Sequence, residues 1–300
     1  MAAGDAKVQL DLLSMPSDKR VLKPLDKDKA GILQSFWIDR RDADGQERPS
    51  FLCRPANTPT AQELNDRLPG DPPRIADSGG PKGGEVAREA LSGGAAQLLA
   101  GQTGIDIGMP ETHVVTLESV MIPGSDPTGL QKVTCSVQEA RHAPGDLKKL
   151  SSIGKMALKP EQLAGLAIFD TLTLNTDGHA GNVLLDPGGN RVPIDHGESF
   201  AESNEQGIGR MKATLGSPHI ALLGLPGAHD PMPKDMPKKL KVLDPEKCAS
   251  GLKKDNAMIG AGHADMKDTV SAGAIDNARR AASFVKLAAR HDPPLSPASI

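Results

Sequence analysis

Asp177, Asn182 and Asp195 carry hard oxygen donors at a spacing that suits chemistry. Asp177 and Asn182 sit in a polar loop, Asn175-Thr176-Asp177-Gly178-His179-Ala180-Gly181-Asn182, just ahead of VLLD (183–186). That run and RVPID (191–195) read as two short strands joined by Pro187-Gly188-Gly189-Asn190, residues that permit a tight reversal. Such a hairpin sets Asp177 and Asn182 at one mouth and returns Asp195 to the same place. Two carboxylates and an amide oxygen converging there suit Mg2+, which takes oxygen ligands. Phosphoryl transfer uses that set. One Asp orients or deprotonates the attacking hydroxyl, while an Asn and a second Asp hold metal against the triphosphate.

Other elements must position these side chains. Leu163, Leu166, Ala167 and Phe169 crowd an apolar segment too dense for a solvent-facing helix, so a mostly buried helix is expected to feed the loop. Upstream, residues 7–24 read as a hairpin, with VQLDLL and RVLKP either side of Ser14-Met15-Pro16-Ser17-Asp18. A second and better hairpin spans 31–57, where SFWID and SFLCR flank the turn Asp42-Ala43-Asp44-Gly45. Residues 55–84 are rich in Pro, Asp and Gly and read as a loop insertion. Within it GGPKGG (79–84) lacks the spacing of a phosphate cradle and reads as a flexible lead-in. A helix is expected from Glu85 to about Thr103, its early glutamates suiting the positive N-terminal end. MPETHVVTLESV (109–120) and KVTCSVQEA (132–140) alternate like strands and would complete a five-stranded sheet. Residues 201–260 read as loop-rich, and the basic run 231–247 as a solvated surface. Residues 268–290 carry Ile275, Ala278, Ala282, Val285 and Ala289 at helical spacing and read as a closing helix.

Composition narrows the class. Three hundred residues with 38% hydrophobic content suffice for a sizeable core. A net charge of −3 gives no electrostatic reason to expect a nucleic-acid partner. Cys53, Cys135 and Cys248 are odd in number, widely spaced and free of any C-x-x-C pattern, which points to free thiols in a reducing compartment. No run approaches the roughly 18 apolar residues of a membrane span, and MAAGDAK lacks the apolar core of a signal peptide. A cytoplasmic protein without an integral membrane segment is expected; delivery into another cell as an effector has no readable signal behind it. With no tyrosine, five Phe, one Trp, 32 glycines and 25 prolines, the core must be aliphatic and the loops long.

The stretch 161–200 resembles the catalytic core of the phosphatidylinositol 3-/4-kinase-like superfamily, including its actin–fragmin-kinase type and small bacterial relatives. Their pattern is an apolar helix, D-R-H-x-x-N, a hairpin, then I-D-H-G or D-F-G. Here it is matched by Asp177-Gly178-His179-Ala180-Gly181-Asn182 and Ile194-Asp195-His196-Gly197, with Gly178 where the family has Arg. The resemblance implies an α+β, two-lobed protein-kinase-like fold, with a small antiparallel-sheet N-lobe and a mainly helical C-lobe. Residues 1–30 would be an N-terminal extension, 31–142 the N-lobe with its insertion, 143–292 the C-lobe and 293–300 a tail. It makes Asp177 the catalytic base, with His179 in the same catalytic loop, and Asn182 and Asp195 the metal ligands. The family's V-F-K-P is matched by Leu52-Cys53-Arg54-Pro55, which puts Arg54 in the place of the phosphate-binding lysine, with Lys23 of Val21-Leu22-Lys23-Pro24 as its rival. Glu89 falls where the family has the glutamate that pairs that cation, Gln138 and Glu139 fall at the adenine hinge, and Gly31 and Ser35 are all that remains of the glycine loop. ATP and Mg2+ are the implied cofactors, and a protein or phosphoinositide hydroxyl the implied acceptor.

Two other readings use the same residues. A pseudokinase would keep the fold as a binding module without turnover, consistent with the missing lysine and the missing Arg at 178. A His/Asp metal-dependent hydrolase would draw on Asp177, His179, Asp195 and His196, against the preference of zinc sites for ligands one helical turn apart. Asp or Asn ahead of a strand also serves as a plain turn former, and Asp170 alone reads as a helix residue meeting a backbone group.

Overall fold

The computed structural model describes residues 23–24, 36–41, 47–56, 84–120, 131–139, 145–146, 159–178, 180–202, 228–263, 266, 270–291 and 296–297. The expected N-terminal hairpin up to residue 22, Gly31 and Ser35, the insertion at 57–83, His179 and residues 203–227 lie outside them.

Strict alternation builds the first layer. The strands are β1 (Lys23–Pro24), β2 (Phe36–Arg41), β3 (Glu47–Pro55), β4 (Thr112–Val120) and β5 (Gln131–Glu139), in the order β1-β2-β3-β5-β4, all neighbours antiparallel. Ile38, Phe51, Cys53, Val115, Leu117, Cys135 and Val137 pack together on one face. With a side-chain period of two, Arg54, Ser136 and Gln138 must point to the other face. There they meet helix α1 (Gly84–Thr103), which buries Ala87, Leu91, Ala95 and Leu99 at four-residue intervals. Gly93 lets α1 approach the sheet, since a Cβ there would lie 3.3 Å from the Thr112 side chain.

The rest is mainly helical. Helix α2 (Pro160–Thr173) is buried all round, from Leu163 through Phe169, as its unbroken apolar run requires. Three short strands follow in the order β6-β7-β8: Gly145–Asp146, Val183–Leu185 and Arg191–Pro193. Helices α3 (Met236–Lys241), α4 (Pro245–Gly262) and α5 (Ala272–Ala288) complete the chain. Residues from α1, α2, α3, α4 and α5 share one apolar core, in which Leu99, Ile168, Phe169, Leu240, Leu252 and Val285 are all buried. The fold is therefore α+β, with a small antiparallel sheet and a helical part. Among the described residues no helix is long and apolar enough to cross a membrane.

Two expectations need correction. The segment 231–247 keeps its lysines outside but is more than a solvated surface, because Met232, Met236, Leu240 and Leu243 are buried. Residues 201–260 are not loop-rich to the end, because α4 occupies 245–262. That helix buries little beyond Cys248, Ala249 and Leu252, so no broad apolar stripe marks it. Its signal lies at the start, where the Asp244 carboxylate accepts from the N–H groups of Glu246 and Lys247 and Pro245 takes the first helical position.

The α1–β4 connection touches the hairpin that carries the site. Gly108 has φ +71°, and a Cβ on it would lie 2.8 Å from the Arg191 carbonyl oxygen. Gly108→Ala is expected to lower stability by about 2 kcal/mol, from left-handed strain and displaced backbone together. Urea unfolding of the two proteins checks this; equal midpoints would contradict it.

Candidate active site

Helix α2 ends at Leu174, whose φ of 51° turns the chain into the loop that carries Asp177. That loop is pinned from both ends. The Asp177 N–H donates to Asn175 Oδ1 at 3.0 Å, and Asn182 Nδ2 donates to the Asp177 carbonyl at 3.0 Å and its Oδ2 at 3.3 Å. Asn182 closes a single 3-10 turn, Ala180–Asn182, and its carbonyl accepts from Ile194 N–H at 2.9 Å. This backbone bond brings the residue before Asp195 against the residue that braces Asp177. The second hairpin strand stops at Pro193 rather than running to 195 as expected, and Asp195 takes φ 60°. A non-glycine residue held there costs about 1–3 kcal/mol and is retained where its direction matters.

Asp195 meets the sheet through Arg54. Arg54 Nη2 donates to Asp195 Oδ1 at 2.5 Å, and Arg54 Nη1 lies 3.7 Å from Glu89 Oε2 on α1. Glu89 is fixed in turn by Ser136 Oγ at 2.8 Å and Gln138 Nε2 at 3.2 Å, and Gln138 also donates to Thr112 Oγ1 at 2.9 Å. Burial raises the Glu89 pKa, with Arg54 acting against it. Burial pulls the Arg54 guanidinium down, but Asp195, Glu89 and Glu85 outweigh it and hold the pKa above its ordinary value. A cation is thus fixed in a buried place between two carboxylates from different elements.

The turn after Asp195 locks against the start of α1. Arg88 Nε donates to the Gly197 carbonyl at 2.6 Å. A Cβ at Gly197 would lie 2.6 Å from Arg54 Nη1 and 3.2 Å from Glu85 Cβ, so a larger residue would push the guanidinium from its place. Glu85 is pushed up to about 7, first by burial, with Arg54 opposing and Glu198 adding to it. An acid held above its ordinary 4.5 keeps its proton longer folded than unfolded, so its contribution falls as pH rises from about 4.5 to 7. Glu85→Gln is expected to lack that fall and to be roughly 2–3 kcal/mol more stable than the parent at pH 8. Unfolding measured at pH 5 and pH 8 tests it, and an unchanged difference between the two pH values would contradict it.

The structure therefore gathers Arg54, Glu89, Asp195, Asn182 and Asp177 into one connected set. The backbone of Lys23 pairs with Trp37 of β2, which faces Leu52 of β3, two strands from the strand of Arg54. Gln138 lies inside the ladder, opposite both Leu52 and Thr112, with its side chain spent on Glu89 and Thr112. Glu139 is exposed at the end of β5. The metal-hydrolase reading draws on His196. That ring is buried edge-on to Phe169, and burial lowers its pKa to about 4. Among the described residues no group of three His, Cys, Asp or Glu side chains is placed to hold a metal. Sequence reasoning gave no site role to Glu85, one turn before Glu89 on the same helix, or to Arg88, its immediate neighbour, nor to Asp170 and Asn175, which look like ordinary helix-end residues.

No protein-family model matches the chain, and none of the curated proteins matches it. Among solved structures it is similar to a MAP kinase from Leishmania major. One structure of that kinase, a complex, is 10% identical over 96% of this chain and 91% of that one, at a TM-score of 0.26. A second structure of it is 10% identical over 100% of this chain and 86% of that one, at a TM-score of 0.25. Likeness at this level adds nothing to what the site geometry itself supports.

Proposed function

We propose that the chain is an ATP- and Mg2+-dependent phosphotransferase of the phosphatidylinositol 3-/4-kinase-like kind, moving a γ-phosphoryl group to a hydroxyl on a protein or a phosphoinositide. The observation that carries this reading is the line Glu89–Arg54–Asp195, which ties helix α1 and the sheet to the turn beside Asp177 and Asn182.

The donor set fits magnesium. Asp195 supplies a carboxylate whose side chain is 41% exposed, against 7% for Arg54, and Asn182 spends its amide nitrogen on Asp177 so that its hard oxygen is the end left for metal. Asn182 and Asp195 would hold the ion, which when bound neutralises charge on the triphosphate. Arg54, steered by Glu89, places fixed positive charge beside them, and Asp177 accepts the proton of the acceptor hydroxyl or orients it. The protein's part is positioning and charge stabilisation.

Calorimetric titration of the purified chain with Mg·ATP tests this. Binding is expected, weakened at least about tenfold by Asp195→Ala or by chelation of Mg2+. No binding would overturn the reading. A second reading is favoured by Arg54 standing where the related kinases have lysine: a pseudokinase that binds nucleotide and never turns it over. Titration does not separate the two, but loss of the γ-phosphate does.

A further inference from the structure

Three elements meet at one side chain outside the set assigned above. Asn175 Nδ2 donates to Asp170 Oδ1 on α2 at 3.0 Å and lies 3.3 Å from His196 Nδ1, next to Asp195. Asn175 Oδ1 accepts the backbone N–H of Asp177 at 3.0 Å. The three bonds fix the amide's orientation, because a carboxylate accepts and a backbone N–H donates. With the amide so oriented, His196 Nδ1 accepts from Asn175 Nδ2, which leaves the ring proton on Nε2.

We infer that Asn175 is a positioning residue for phosphoryl transfer, holding Asp177 and Asp195 in mutual register through its bonds to Asp170, His196 and the Asp177 backbone. The inference rests on the phosphotransferase reading. Each bond addresses a different part of the site. The oxygen sets the backbone at the base, one hydrogen reaches the ring next to the metal-side carboxylate, and the other anchors both to the buried helix. A turn-forming asparagine needs only the first of these.

The position of Asp170 supports the assignment. Its carboxyl is buried and pushed up to about 6 by that burial, with the Asn175 bond working the other way. A buried carboxylate kept as an acceptor for one amide is a fixed anchor. Gly178 belongs to the same arrangement. A Cβ at 178 would lie 2.7 Å from Asp170 Oδ2 and 3.5 Å from Asn175 Nδ2, so the loop crosses directly over the pair. Where the kinases it resembles carry an arginine, a side chain here would have to displace the Asp170 carboxylate from its place beside Asn175.

The test uses the full-length chain with Mg·ATP, reading total loss of γ-phosphate to water or protein, with kcat and KM separated. Asn175→Asp keeps an acceptor for the Asp177 N–H but removes both donors and sets a second carboxylate against Asp170. The expected result is a fall of about 10²-fold in kcat with KM for ATP within about threefold, as for a misplaced reacting group. Adding Asp170→Asn reverses the polarity of the pair, since an amide at 170 donates to a carboxylate at 175 and His196 donates from Nδ1 in its other tautomer. This double variant is expected to regain at least about tenfold in kcat. Thermal denaturation confirms that each variant is folded. Full kcat in Asn175→Asp, or a folded double variant no better than the single, would overturn the inference while leaving the phosphotransferase reading intact. No γ-phosphate loss from the parent chain would overturn both.

Discussion

Replacing Arg54 with methionine is expected to remove about 3 kcal/mol of stability at pH 8. The methionine fills most of the volume, so the loss comes from charge. Glu89 is 3% exposed, and without the guanidinium it keeps only the bonds from Ser136 and Gln138, while Asp195 loses a partner at 2.5 Å. Removing one member of a buried ion set costs more than the set contributes, because the remaining charge stays out of water. A sign follows for pH. Arg54 lowers the Glu89 pKa, so its removal raises that pKa further, and the folded variant takes up a proton that the unfolded chain does not. The deficit should therefore shrink as pH falls to 5. Arg54→Lys keeps the charge but lacks the two-pronged fork that reaches both carboxylates, so an intermediate loss is expected. Denaturant unfolding of all three proteins at pH 5 and pH 8 measures this. A methionine variant as stable as the parent at pH 8 would show that Arg54 is not the tie between α1 and the Asp195 turn.

Asp177→Ala is expected to lower γ-phosphoryl transfer by about 10³-fold with ATP affinity little changed. The structure separates the two functions of this residue. Its backbone N–H and carbonyl hold the loop through Asn175 and Asn182, and both bonds survive truncation to alanine. The Oδ2 contact with Asn182 at 3.3 Å is lost, a hydrogen bond of the kind that contributes about 1 kcal/mol. Asp177→Asn, which keeps the shape but cannot take a proton, should fall by a similar factor. Transfer rates beside a thermal scan check this, and an alanine variant with the parent rate would remove Asp177 from the mechanism.

Some of this was legible from residue types alone. The all-round apolar run in 163–169 can only be a buried helix, and Pro187-Gly188-Gly189-Asn190 between two short apolar runs can only be a turn. Those two features place Asp177, Asn182 and Asp195 near one another. The pairing of Arg54 with Glu89 was reachable only through a resemblance, because it depends on strand register. Arg54 opposes Ser136 and Leu52 opposes Gln138, and a shift of one residue would turn Arg54 to the other face. Helix α4 was missed because its lysines, glycines and alanines carry no broad apolar face. His196 entered the alternative hydrolase reading because nothing local says that a histidine beside an aspartate will be packed on Phe169. Asn175 was hidden for the same reason. One of its three partners lies on a strand-end turn twenty-one residues on, and distance along the chain conceals contacts that folding makes.

The most direct test of the central claim is incubation of the purified chain with γ-labelled ATP and Mg2+, alone, with proteins of a cell lysate, and with mixed phosphoinositide vesicles. An Asp195→Ala chain serves as the control. Label moving into a protein or a phosphoinositide, and absent from the control, is the predicted result and identifies the acceptor class. Label remaining on ATP in every arm, with the parent chain folded and Mg·ATP bound, would contradict phosphotransfer and leave a nucleotide-binding module.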